Sequence, residues 1–155
     1  VNSESPRKRV LIVDDDASVR DLLHSVLSNH DLIADCAADG AEAIELLKEH
    51  HYSVVLLDLL MPKVDGFSLL NRMAESQFLS HPVVLVITGA ERNAIDALDP
   101  QRIHGIVRKP FEPEELASLV VACAEVRQRN TFGAMAIATM VAGGPIIALL
   151  NRLGS

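Results

Sequence analysis

The sequence predicts an α/β domain, a parallel sheet covered by helices on both faces. Three observations carry that expectation. Short apolar runs recur through the first 127 residues: Val10-Leu11-Ile12-Val13, Val54-Val55-Leu56-Leu57, Val83-Val84-Leu85-Val86-Ile87 and Gly105-Ile106-Val107-Arg108. Each has the length of a strand buried on both sides. Between them lie segments whose apolar residues recur at helical spacing. Each run also delivers polar residues at its carboxyl end: Asp14-Asp15-Asp16, Asp58, Thr88 and Lys109-Pro110. In an open α/β sheet that edge is where ligands bind.

The elements follow in order. After the first strand, Val19, Leu22, Leu23, Val26 and Leu27 give an i, i+3, i+4, i+7, i+8 stripe, with Asp16 as N-cap. Leu32 to Ala37 is a weaker strand, placed at the sheet edge. Asp39 caps the second helix, Glu42 completes a capping box, and Ile44 and Leu47 face inward. Val54 to Leu57 is the third strand. The third helix runs from Gly66 to Glu75, with Phe67, Leu70 and Ala74 inward and Asp65 as its cap. Val83 to Ile87 is the fourth strand. A short fourth helix spans Arg92 to Leu98, because Pro100 stops it. Beyond the fifth strand, Pro113 takes a first-turn position, and Leu116, Leu119, Val120 and Cys123 form the last inner stripe. Five strands alternating with five helices imply crossover connections and a parallel sheet.

Composition removes several function classes. The 155 residues carry a formal charge of −7, and no basic stripe offers a grip on phosphate backbones, so no direct nucleic-acid partner is expected. Cys36 and Cys123 lie inside apolar patterns and read as buried thiols rather than a disulfide framework. The six histidines lack zinc spacing; His104, beside the fifth strand, is the one placed to modulate with pH. The polar start, Val1 to Arg9, lacks a signal-peptide apolar region, so a cytoplasmic location is expected.

The strand ends gather carboxylates, a hydroxyl and an ammonium into one cleft. An Asp there can attack phosphorus and form an acyl phosphate. Clustered carboxylates repel one another, and Mg²⁺, which takes oxygen ligands, relieves that repulsion. A lysine can neutralise remaining phosphoryl charge, and a threonine hydroxyl can donate to a phosphoryl oxygen. Taken singly, Asp58 could merely cap a turn, and Thr88 and Lys109 could be surface residues. Asp16 reads as an N-cap rather than a ligand. The ordered set weighs against these bland readings.

That ordered set resembles a known family. Val13-Asp14-Asp15-Asp16-Ala17-Ser18-Val19-Arg20, Asp58-Leu59-Leu60-Met61-Pro62-Lys63-Val64-Asp65-Gly66, Thr88-Gly89-Ala90 and Lys109-Pro110-Phe111 together resemble a response-regulator receiver domain of two-component signalling, over about residues 7 to 127. The resemblance implies a flavodoxin-like (βα)5 three-layer sandwich with strand order 2-1-3-4-5, an order for which receiver proteins are a standing example. It implies Asp58 as phosphoacceptor, and Mg²⁺ held by Asp14, Asp15, Asp58 and the main-chain carbonyl of Leu60. Asp15 would then be a direct ligand, with Asp14 acting mainly through water. It implies Thr88 and Lys109 as holders of the phosphoryl group, with a cis Lys109-Pro110 peptide. The implied partner is a sensor histidine kinase or a His phosphotransfer protein, and a homodimer is compatible with the pattern. The chain would not be a conventional enzyme, but would catalyse its own Mg²⁺-dependent phosphorylation and dephosphorylation.

One position departs from the family. Ile106 stands where a Tyr or Phe usually moves inward as the threonine engages phosphate. That leaves Thr88 and Ile106 as the switch pair, between which threonine–aromatic coupling cannot operate in its usual form. Two other functions compete. A degenerate receiver would act only as a binding module. A haloacid-dehalogenase-like phosphatase would use Asp14-Asp15-Asp16-Ala17-Ser18, but would leave Asp58 unexplained and needs a second, late acidic pair that is not present.

Residues 128–155 break the alternating pattern. Phe132 to Leu150 carries no charged side chain, and Ala134, Ala138 and Ala142 have the spacing of a closely packed helix. Three readings stand: an apolar helix packing on the domain or on a second copy, a membrane anchor over 132–150, or the start of a lost output domain. The length approaches that needed to span a bilayer, although Gly143-Gly144-Pro145 interrupts it.

Overall fold

A computed structural model of the chain describes residues 6–61, 65–75, 81–128, 135–140 and 147–151. The expected alternation forms: β1 (Arg9–Val13), α1 (Ala17–Ser28), β2 (Ile33–Ala37), α2 (Gly40–Glu49), β3 (Val54–Leu57), α3 (Gly66–Glu75), β4 (Val83–Thr88), α4 (Arg92–Asp96), β5 (Gly105–Arg108) and α5 (Pro113–Gln128). The first five strands pair in parallel in the order β2-β1-β3-β4-β5. This is the flavodoxin-like arrangement expected from the sequence.

Strand alternation sends successive side chains to opposite faces and so divides the core in two. On one face Val10, Ile12, Leu56, Leu85, Ile87 and Val107 pack with Leu23 and Leu27 of α1 and Leu116 and Val120 of α5. On the other, Leu11, Val13, Val55, Leu57, Val84, Val86 and Ile106 pack with Ile44 and Leu47 of α2 and Leu69 and Leu70 of α3. Two helix stripes shift from expectation. Leu22 is 43% exposed on α1, and on α3 Ala74 is exposed while Leu69 is buried. The helix caps hold: Asp16 accepts from the Ser18 amide at 2.8 Å, Asp39 from Glu42 at 2.9 Å and Asp65 from Ser68 at 2.8 Å. The Glu42 carboxylate reaches back to the Ala38 amide at 2.8 Å, one residue earlier than the usual capping box. Helix α4 ends at Asp96, two residues before its expected end, with Ala97 as C-cap.

At the amino edge of the sheet, Asp35 of β2 accepts from Arg9 and from the Tyr52 hydroxyl, both at 2.8 Å. Burial and the Asp35 carboxylate push the Tyr52 phenol well above its ordinary pKa, so it remains a donor. This knot pins the edge strand far from the carboxyl ends where the polar residues gather.

The helical reading of the tail does not hold. Met135–Met140 and Ile147–Asn151 are strands, β6 and β7. Strand β6 adds in parallel beside β5, with Ile106 opposite Thr139 and Val107 opposite Met140, and β7 pairs antiparallel with β6. The physical reason is the open edge of β5, whose unpaired N–H and C=O groups template a further strand. Alternating β-branched Ile137 and Thr139 suit that role. The rest of the expected 132–150 helix lies outside the described residues. Among the described residues, no helix is long and apolar enough to cross a membrane.

Candidate functional site

Register explains why one cleft forms. Val13 of β1 pairs with Leu57 of β3, and Thr88 of β4 with Arg108 of β5. Asp14, Asp58, Thr88 and Lys109 therefore leave four neighbouring strands at the same carboxyl edge. Main-chain bonds fix two of these exits: the Asp58 amide donates to Val13 O at 2.9 Å and the Lys109 amide to Thr88 O at 3.1 Å.

Asp14 and Asp58 are 3% and 5% exposed. Carboxylates so deeply placed need partners. The Lys109 ammonium supplies one to each, with Nζ 2.7 Å from Asp14 Oδ2 and 3.1 Å from Asp58 Oδ2. The second oxygens take main-chain donors: Asp14 Oδ1 accepts from the Asp16 amide at 2.9 Å and Asp58 Oδ1 from the Leu60 amide at 3.1 Å. Arg20 donates to the Asp14 main-chain oxygen at 2.7 Å. Asp15 stands exposed beside them, and carboxylate oxygens of Asp14, Asp15 and Asp58 lie within 4.8 Å of one another. The set consists of hard oxygen donors carrying three negative charges against one ammonium. That donor chemistry fits Mg²⁺. The Lys109-Pro110 peptide is cis, as the resemblance implied.

Titration follows the burial. Desolvation raises the Asp14 pKa, and the Lys109 and Asp16 hydrogen bonds offset it only in part. Burial acts to lower Lys109, but its bond to Asp14 and the charge of Asp58 outweigh that, so its pKa is raised and it stays an ammonium. The linkage signs differ. Lys109 stabilises the fold fully below its ordinary value of 10.5, and that contribution is lost as pH rises through the raised value. Asp14 holds its proton more tightly folded than unfolded, so its charged form weakens the fold once pH passes from 3.8 up through the raised value. Asp14→Asn should therefore melt higher than wild type at neutral pH, Lys109 keeping Asp58 as its partner, with the gain vanishing below pH 3.8. Thermal melts across that range check both the sign and the window. The gain comes mainly from no longer desolvating a charge at Asp14, with repulsion from Asp58 a lesser contribution.

Thr88 is fully buried. Its Oγ1 accepts from the Ala90 amide at 3.1 Å, within its own turn. Among the described residues its hydroxyl makes no hydrogen bond to the Asp58 or Lys109 side chain. Ile106, 6% exposed, packs in the core face shared with Val84 and Val86. Leu60 is 55% exposed at the cleft lip. Pro62, Lys63 and Val64 of the motif lie outside the described residues. Both cysteines are free, Cys123 buried and Cys36 half-buried.

Sequence reasoning missed two residues. Gly66 opens α3 directly against the main chain that carries Asp58: a Cβ there would lie 2.6 Å from Asp58 O and 2.7 Å from Leu59 Cα. The Asp65-Gly66 pair signalled only a turn. Arg108 reaches across from β5 to donate to the Ala90 carbonyl at 2.7 Å. A charged residue ending an otherwise apolar strand was the available signal.

The family model described as the response regulator receiver domain matches residues 10–121. Among curated relatives, the "Probable transcriptional regulator ycf27" of Porphyridium aerugineum is 33% identical over 125 residues, 74% of this chain and 47% of that protein. The "Transcriptional regulatory protein SrrA" of Staphylococcus aureus (strain NCTC 8325 / PS 47) is 32% identical over 123 residues, 79% of this chain and 50% of that protein. The chain thus spans about half the length of the curated relatives it matches. Among solved structures, a CheY-like receiver domain protein from Methanospirillum hungatei JF-1 superposes with TM-score 0.72 at 20% identity, covering 79% of this chain and 98% of that one. The response regulator TrrA from Thermotoga maritima, solved in complex with Mg(2+)-BeF, superposes with TM-score 0.65 at 26% identity, covering 75% and 98%.

Proposed function

Because the chain belongs to the response regulator receiver domain family, we propose that it accepts a phosphoryl group on Asp58 in a Mg²⁺-dependent reaction and signals through a conformational change. The observation that carries this reading is Lys109 Nζ bridging two buried carboxylates, at 2.7 Å from Asp14 and 3.1 Å from Asp58. A structural ion pair needs one carboxylate. Two, with a third exposed beside them, form an electron-rich pocket suited to a cation and a transferring phosphoryl group.

In this reading Asp14, Asp15, Asp58 and the Leu60 carbonyl hold Mg²⁺. The ion, when bound, neutralises charge on the phosphoryl oxygens. Everything else falls to the chain. An Asp58 carboxylate oxygen bonds to phosphorus as the bond from phosphorus to the donor's imidazole nitrogen breaks, its electron pair leaving with the imidazole. The Leu60 amide orients the carboxylate. Lys109, protonated across the neutral range, exchanges its contact with an Asp58 oxygen for one with the phosphoryl group. Thr88 turns its hydroxyl from Ala90 toward a phosphoryl oxygen. The donor is a sensor histidine kinase or a His phosphotransfer protein. The receiver unit is residues 7–127, with 128–155 appended, and its expected place is cytoplasmic. The transcriptional-regulator names belong to relatives about twice the matched span. For this chain, with its charge of −7, the reading includes no direct nucleic-acid contact.

Incubation with a small acyl-phosphate donor and Mg²⁺, followed by intact mass measurement, tests the reading. One added phosphoryl group that EDTA prevents is the expected result. No addition at millimolar donor and metal would favour the binding-module reading instead.

A further inference from the structure

Thr88, Ile106 and Arg108 share a sheet face. Val84, Val86 and Thr88 alternate along β4, as Ile106 and Arg108 do along β5, and Val84, Val86 and Ile106 all belong to the core on the α2–α3 face. Thr88 and Arg108 are direct cross-strand partners. The turn after Thr88 is held by two bonds to a single residue, Ala90. Its amide donates to Thr88 Oγ1 at 3.1 Å, and its carbonyl accepts from the Arg108 guanidinium at 2.7 Å. The first bond keeps the Thr88 hydroxyl oxygen engaged within its own turn. The second ties that turn to β5. Ala90 is itself buried, at 2% exposure, so its carbonyl bond is not freely replaced by water.

We propose that Arg108 is a positioning residue that latches the Thr88–Ala90 turn in its resting arrangement and so sets how readily Thr88 engages a phosphoryl group. The proposal rests on the receiver reading of Asp58. A switch requires an element with two arrangements and a ligand that favours one of them. Ile106 has no polar tip to exchange between environments. Arg108, one step nearer the carboxyl edge on the same face, has a charged fork that does. Breaking its charge-assisted bond to Ala90 is part of the cost of moving the turn. Without that bond the resting arrangement is weaker, and a ligand that engages Thr88 binds more tightly.

Arg108→Ala, Arg108→Gln and Arg108→Lys, each as the full chain, separate the outcomes. With Mg²⁺ present, beryllofluoride should half-saturate Arg108→Ala at about fivefold lower concentration than wild type, with Arg108→Lys returning toward wild type. Amide exchange without any phosphoryl mimic supplies the independent reading. The Ala90 amide should exchange about tenfold faster in Arg108→Ala, while β4 and β5 amides are unchanged. Equal or weaker beryllofluoride binding by Arg108→Ala overturns the latch. So does faster exchange spread through both strands, since that marks a merely structural role. If wild type binds no beryllofluoride, the receiver reading of Asp58 fails. The exchange result then decides whether Arg108 latches the turn at all, and an unchanged Ala90 amide overturns the latch independently.

Discussion

Asp58→Asn is expected to reduce labelling by a small acyl-phosphate donor with Mg²⁺ by more than about a hundredfold, because the attacking oxygen is lost. The substitution keeps the local frame. An Asn Oδ1 can still accept from the Leu60 amide, as Asp58 Oδ1 does at 3.1 Å, and Asp14 still pairs with Lys109 at 2.7 Å. A thermal melt near that of wild type, together with absent labelling, would place the loss in the chemistry. Labelling at the wild-type rate would move the nucleophile elsewhere. Asp14 would be the first suspect, since like Asp58 it is buried and accepts from one main-chain amide and from Lys109.

Gly66→Ala should damage the same site without touching any polar group. The added methyl would sit 2.6 Å from Asp58 O, 2.7 Å from Leu59 Cα and 3.2 Å from Asp58 C. All three are backbone atoms, so no side chain can rotate away. Either α3 retreats or the Asp58–Leu59 segment shifts. Overpacking of this kind costs about 1–3 kcal/mol. It opposes the gain of about 0.5–1 kcal/mol that alanine brings over glycine within a helix. A net loss of up to about 2.5 kcal/mol is expected, with a phosphorylation rate about tenfold lower because the carboxylate is displaced. Gly89→Ala is the matched control: its Cβ would meet nothing within 4 Å, so its melt should stay near that of wild type. Denaturant unfolding and acyl-phosphate labelling of the two variants check this. A Gly66→Ala protein as stable and as reactive as wild type would show that the helix start can give way.

Much of the candidate site was legible because each of its members ends an apolar run. A strand buried on both faces must be apolar throughout, so a carboxylate, hydroxyl or ammonium at its end stands out against the run. Asp14, Asp58, Thr88 and Lys109 were found this way. The caps at Asp16, Asp39 and Asp65 were legible because capping is a local interaction across two or three residues. Finer helix faces were not. Leu22 belongs to the apolar stripe of α1 yet stands exposed, and Leu69 rather than Ala74 is buried on α3. The angle at which a helix meets the sheet decides those positions, and periodicity does not encode that angle.

The sequence by itself determined the alternation of strand and helix, the polar residue at each strand end, and, through its ordered motifs, the family. These depend on residue type at short separations, where hydrophobic burial and capping act locally. Tertiary structure alone decided four things. Lys109 bridges Asp14 and Asp58, which lie 95 and 51 residues away along the chain. Gly66 wedges against the Asp58 carbonyl, and Arg108 ties down Ala90. The tail joined the sheet as strands because the open edge of β5 offered hydrogen-bonding groups that composition cannot reveal. The physical reason for the contacts made between strands is shared. Parallel pairing brings distant segments into register, and the contacts made there depend on which backbone stands opposite which side chain.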